Sequence, residues 1–170
     1  MALRPIKNCF DPVLRKQCEI VKNIDGELIN LSNDMIETTL AAPGIGLAAN
    51  QIGVPWRVFV VNMGVETDTD NLITLINPEI TAMEGSESGE EGCLSIPDVV
   101  VEVNRAIQIE IKAVDLNGKD IRYEASGLLA RALQHEMDHL NGILFWDSLG
   151  KIKRDILKRK FKKKLKEQEE

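Results

Sequence analysis

Apolar positions recur at helical spacing near the two ends of the chain and in short β-rich runs through its middle. Asp11 and Pro12 read as an N-cap and first-turn proline, predicting a short helix to about Cys18. From Asp25 or Gly26, Leu28, Leu31, Met35, Ile36, Thr39 and Leu40 form one buried stripe, which Pro43-Gly44 ends. Residues 56–62 and 72–77 are short and rich in Val and Ile, which predicts strands. Residues 99–103, 106–114 and 121–125 predict three more, the last two joined by a turn containing Asn117-Gly118. Residues 64–71 and the acidic, Ser/Gly-rich residues 84–91 read as exposed connections.

A second helical pattern runs from Gly127 to Leu140, with Leu128, Leu129, Ala132, Leu133 and Leu140 apolar and no proline inside. Beyond it, Asp147-Ser148 is expected to cap a last, basic helix. The pattern as a whole is α+β: mixed or antiparallel strands packed around a central motif helix, with a C-terminal helix. No linker or repeat divides it, so we expect a main body over residues 1–147 and a basic helix over 148–170 that extends the same domain.

Charge changes this picture at one end. Residues 151–170 carry ten Lys/Arg against four Asp/Glu, whereas the rest of the chain carries eleven against twenty-three. A basic tail on an acidic body suggests a partner of its own, but the composition is not that of a DNA-binding protein. No apolar run is long enough to cross a bilayer. The first residues show no apolar signal core, and three cysteines without paired spacing suit a reducing compartment. The expected location is the cytoplasm.

The chemistry concentrates in Gln134-His135-Glu136-Met137-Asp138-His139, which holds both histidines of the chain. At about 100° per residue, His135 and His139 fall within about 40° of each other on one helix face. Two such imidazoles can hold one metal ion, with Glu136 placed to take a proton from water on it. Upstream, Glu91-Gly92-Cys93-Leu94-Ser95 offers a thiolate as third ligand. No Cys-x-x-Cys pair and no third His is available to close the site, so a fourth position would stay open, as catalysis requires. A third stretch, Gly44-Ile45-Gly46-Leu47-Ala48-Ala49-Asn50-Gln51, is uncharged and glycine-rich, suited to close backbone approach. It has no Gly-Lys-Ser/Thr ending and does not read as a phosphate loop.

These three stretches, in this order and spacing, resemble the motifs of the peptide deformylase family, and the resemblance extends from the N-terminus to at least Asp147. It implies a metal-dependent hydrolase that removes the N-formyl group from the formyl-methionine of newly made proteins and releases formate. Carried across, Cys93, His135 and His139 would hold one divalent metal per chain, typically Fe2+ with Zn2+, Ni2+ or Co2+ as substitutes. Metal-bound hydroxide would attack the formyl carbon, with Glu136 as general base and then acid. The Gln51 amide and the Leu94 backbone N–H would stabilise the oxyanion. Ile45, Leu128 and the stem of Glu91 would line the methionine pocket, with Gly46 and Gly92 also in the substrate site and the peptide added as a strand near Gly46. The basic tail would contact the ribosome through residues 151–170, as a C-terminal helix does in some members.

Three further expectations attach to the motif helix. Asp138, not spaced as a ligand, should pair with Arg105 and so support the site from outside. Arg131, where members often carry an apolar residue, is expected to snorkel outward with its stem on the pocket wall, or else to reach the outer residues of a substrate. A protease of the His-Glu-x-x-His class would use the same helix, though no later His or Glu stands out as its usual third ligand. A non-catalytic ribosome-associated protein would have no use for Glu136 and Gln51.

Overall fold

The computed structural model describes residues 2–169. A short 3-10 turn at Pro12–Arg15 leads into helix α1 (Gly26–Ala41), then strand β1 (Gly46–Ala48), a second 3-10 turn (Ala49–Ile52) and β2 (Val58–Asn62). Strands β3 (Leu72–Glu84), β4 (Glu87–Cys93), β5 (Ile96–Arg105), β6 (Gln108–Val114) and β7 (Asp120–Ser126) follow. Helix α2 (Gly127–Leu140), a third 3-10 turn (Phe145–Ser148) and helix α3 (Lys151–Glu169) complete the chain. The paired strands are antiparallel and form a five-stranded sheet in the order β1-β2-β3-β6-β7 and a separate ribbon of β4 and β5.

The α+β expectation holds, and β2 shows why its helices take opposite sides. Side chains of a strand alternate between faces. Val58 and Val60 meet Leu28, Leu31 and Met35 of α1, whereas Phe59 and Val61 meet Leu133, Met137 and Leu140 of α2. An uninterrupted apolar run is what a strand buried on both faces requires. Asp25 caps α1 as predicted, its carboxylate accepting from the Leu28 N–H at 3.1 Å.

Three boundaries differ from the sequence reading. The helix after Pro12 is a single 3-10 turn, although Asp11 does cap it, accepting from the Val13 N–H at 3.0 Å. Residues 84–91 are not a loop: β3 continues through a bulge at Asn77-Pro78 to Glu84, and β4 occupies Glu87–Cys93. The polar composition of β4 hides it because the strand is held by pairing with β5, Glu87 opposite Arg105 and Cys93 opposite Ile96. Asp147 caps a 3-10 turn and not α3, which begins at Lys151. Its carboxylate accepts from the Leu144 N–H at 3.0 Å and from Arg15 at 2.6 and 3.1 Å.

That turn carries Phe145 and Trp146 into a third apolar cluster with Ile96, Val101 and Val103 of β5 and Phe161 of α3. The cluster seats the ribbon and the last helix together. Burial opposes ionisation of Asp147, but the Arg15 hydrogen bond prevails and holds its carboxyl below the usual range. A depressed folded-state pKa contributes stability that is present above the unfolded value and lost as pH falls through the folded one. Asp147→Asn is therefore expected to cost about 1–2 kcal/mol at pH 7. In urea melts taken from pH 7 to about 3, the gap between variant and parent should close toward acid.

Candidate active site

Helix α2 presents His135 and His139 one turn apart, and β4 ends at Cys93 beside them. The His139 and His135 Nε2 atoms stand 3.2 Å apart, and the Cys93 sulfur is 3.4 Å from His139 Nε2. All three potential ligand atoms lie within 4.8 Å of one another. Ligands at about 2.1–2.3 Å from a tetrahedral ion stand roughly 3.4–3.8 Å apart, so this spacing suits a single cation. A thiol with two imidazoles is a donor set for a borderline divalent metal, and three protein ligands leave room for a fourth group.

Electrostatics around the cluster point the same way. Burial opposes ionisation of Glu91, yet hydrogen bonds from Arg105 and His135 bring its pKa down to about 2. A carboxylate can only accept, so His135 donates from Nδ1 to Glu91 Oε1 (2.9 Å), and its Nε2 faces the cluster. Burial depresses His135, but the Cys93 sulfur and Glu91 outweigh it and lift its pKa to about 10. Burial and the neighbouring His135 push His139 well below the ordinary value, leaving it neutral.

Glu136 is buried, and that burial, partly offset by His135, raises its pKa to about 7. Its Oε2 atom has no hydrogen-bond partner. Gly46 explains how backbone comes so near this carboxylate. A Cβ there would lie 3.0 Å from Glu136 Oε1 and 3.0 Å from the Val60 carbonyl. The glycine-rich stretch therefore does approach something closely, and that something is Glu136. Behind it, Gln51 is fixed from both ends of its amide: the oxygen accepts from the Ala48 N–H at 2.9 Å, and Nε2 donates to Ser95 Oγ at 3.0 Å and points along Cys93 at 3.8 Å.

A cavity of about 460 Å³ opens over this group, and Ile45, Gly46, Gln51, Glu91, Gly92, Leu94 and Leu128 all border it. The structure thus brings together every site residue expected from sequence, with Arg105 and Asp138 just outside. Those two are paired as expected, Arg105 Nη1 donating to Asp138 Oδ2 at 2.5 Å. Arg105 also donates to both oxygens of Glu91, at 2.8 and 2.9 Å.

Arg131 does not snorkel outward as expected. Its stem borders the cavity, but the guanidinium turns inward to Glu91 Oε2 (2.8 Å) and the carbonyls of Val103 (2.8 Å) and Glu87 (2.8 Å). A fork of five donors goes where acceptors converge, and the ribbon offers them on both strands. Sequence reasoning also missed Ser95 and Asn50. Asn50 Nδ2 donates to the His139 carbonyl at 2.7 Å, tying the turn that carries Gln51 to the end of α2. Both lie within the motif stretches, so the signal was present but had no role attached to it.

Fold and site together define an α+β protein with a thiol and two imidazoles gathered beside a buried carboxylate, an arrangement fit for metal-assisted hydrolysis. The model of the polypeptide deformylase family matches residues 3–155. The peptide deformylase of Thermodesulfovibrio yellowstonii is 49% identical over 164 residues, covering 96% of this chain and 99% of its own. That of Agrobacterium fabrum is 46% identical over 164 residues, covering 96% of each. Among solved structures, the peptide deformylase of Legionella pneumophila superposes with a TM-score of 0.92 at 42% identity over 98% of both chains. That of Ehrlichia chaffeensis in complex with actinonin gives 0.91 at 38% identity, over 96% of this chain and 98% of its own. The chain belongs to the polypeptide deformylase family and is an enzyme of it.

The spacing of the cluster predicts one divalent cation per chain. Elemental analysis after dialysis should give a ratio near one for the parent and near zero for Cys93→Ala. A parental ratio in that variant would remove Cys93 from the ligand set.

Proposed function

We propose that this protein removes the formyl group from the N-formylmethionine that begins newly made polypeptides, releasing formate and a free amino terminus. The observation that carries the reading is the convergence of Cys93, His135, His139, Glu136 and Gln51 on one cavity beside the open edge of β1, in a chain of this family. Cys93, His135 and His139 hold the metal, Fe2+ in our reading, with Zn2+, Ni2+ or Co2+ as substitutes. A cation held there supplies a water acidic enough to act near neutral pH and polarises the formyl oxygen.

The protein's own groups do the rest. The peptide pairs along β1 at Gly46, which stands at the margin of the five-stranded sheet, with Gly92 across the cavity. The methionine side chain lies against Ile45, Leu128 and the stem of Glu91. As water adds to the formyl carbon, Glu136 takes its proton, and it returns a proton to the amine nitrogen as the C–N bond breaks. The Gln51 amide and the Leu94 N–H donate to the oxygen that becomes negative. Each such donor is worth on the order of 3 kcal/mol in a transition state. Arg105 and Asp138 hold Glu91, and through it His135, in place.

Anaerobically prepared protein loaded with Fe2+ or Ni2+ is expected to release formate from formyl-Met-Ala-Ser. Glu136→Ala, with its metal content unchanged, should lose that activity by at least about 10²-fold. A loaded parent that releases no formate would overturn the reading.

Residues 1–147 form the catalytic body in this proposal and residues 148–170 its extension, seated by Phe161, whose ring stacks 5.9 Å from Phe10. No helix among the described residues is long and apolar enough to cross a membrane, and Cys9, Cys18 and Cys93 are all free thiols. Both facts suit work in the cytoplasm. The lysines and arginines of α3 suit the phosphates of ribosomal RNA. Deleting residues 151–170 should abolish ribosome cosedimentation at low salt. Full cosedimentation of the truncated chain would rule out this contact.

A further inference from the structure

The three atoms read as metal ligands come from two elements with separate supports. His135 and His139 ride on α2, which packs on the five-stranded sheet through Ala130, Leu133, Met137 and Leu140. Cys93 ends β4, whose partner β5 buries Ile96, Val101 and Val103 against Phe145, Trp146 and Phe161 instead. Apolar packing thus fixes each element to a different neighbour. Beside the cluster itself, the two are joined by polar groups.

We infer that Arg131 is a positioning residue for the metal site, tying α2 to the β4–β5 ribbon so that Cys93 stands at ligand distance from the histidines before any cation binds. The inference rests on reading Cys93, His135 and His139 as a metal site. One guanidinium reaches both strands of the ribbon: Nη2 donates to the Glu87 carbonyl of β4, and Nη1 to the Val103 carbonyl of β5. Nη1 also donates to Glu91 Oε2, while the other oxygen of that carboxylate accepts from His135. Arg131 therefore acts on both the distance of the ribbon and the rotation of one histidine ring, alongside Arg105, which bonds Glu91 and Asp138.

The ribbon is shaped around this head group. Gly89 lies opposite Val103, and a Cβ on it would come within 3.0 Å of both Cζ and Nη2 of Arg131. An ordinary side chain there would displace a guanidinium already held by three acceptors at 2.8 Å. Lysine could not replace it, because a single ammonium cannot span two strands and a carboxylate in the fork geometry. Truncation would leave the Glu91 carboxylate and the Val103 carbonyl short of a partner in a largely buried setting.

The test is cobalt binding by the metal-free protein, read from thiolate-to-cobalt and d–d absorption with a chelator as competitor, which needs no substrate. Removing support of this kind typically weakens a site by about 10–100-fold, and Arg131→Met is expected to do so while keeping the parental far-ultraviolet circular dichroism. Arg131→Lys should lie nearer to that variant than to the parent. Gly89→Ala, which nudges the guanidinium without removing it, should weaken binding in the same direction by a smaller factor. Parental affinity and spectrum in Arg131→Met would overturn the inference. If that variant fails to fold, parental affinity in Gly89→Ala overturns it. A parent that binds no cobalt overturns the metal reading, and this inference with it.

Discussion

The Glu91 carboxylate is the joint on which the site depends. It sits among two guanidinium groups and an imidazole drawn from two pieces of structure: Arg105 from β5, and Arg131 and His135 from α2. An unpartnered buried carboxylate would be expelled or protonated, so its charge is maintained only because three donors surround it. In turn it is the one acceptor that can orient His135 while also drawing both arginines inward. Remove it and two buried cations face each other. The cost of breaking such a network lies in what is left unpaired more than in any single bond.

Around that joint, apolar packing does coarser work. The double-sided burial of β2 sets α1 and α2 on opposite faces of the sheet, and this brings the Gln51 turn and the histidine helix together across β1. Packing of that kind locates elements to within about a side chain. The last ångström is set by directional bonds: Ala48 and Ser95 on Gln51, Asn50 on the end of α2, Asp138 on Arg105. Rigidity in the cluster is thus a property of the polar layer laid over a conventional core.

Much of this was legible in the chain. The stripes of α1 and α2, the caps at Asp11 and Asp25 and the Asn-Gly turn each followed from local spacing and local chemistry, because each is satisfied by neighbours within a few residues. The cluster was legible for a related reason, since two of its members lie one helical turn apart. What escaped was non-local. Strand β4 has no apolar alternation, because its pairing with β5 holds it where its own composition does not. Arg131 was misjudged because helical periodicity says which face a side chain leaves from, and cannot say that three oxygen acceptors wait for it on another element. Asp147 looked like the cap of the last helix because caps are recognised by type, whereas its actual turn is fixed by Arg15, far away in sequence.

The brevity of β1 carries a consequence for how broadly such an enzyme can work. Three residues of strand, at about 3.3 Å each, offer roughly 10 Å of edge. Pro43 precedes that edge and a 3-10 turn follows it, so a guest chain meets a stop on either side. A polypeptide paired there is held along its first few residues and nowhere else by backbone bonds that any sequence can make. An enzyme that must serve the starts of thousands of unrelated proteins needs indifference to everything downstream. Under the proposed function, a docking edge only three residues long would provide that indifference by geometry alone.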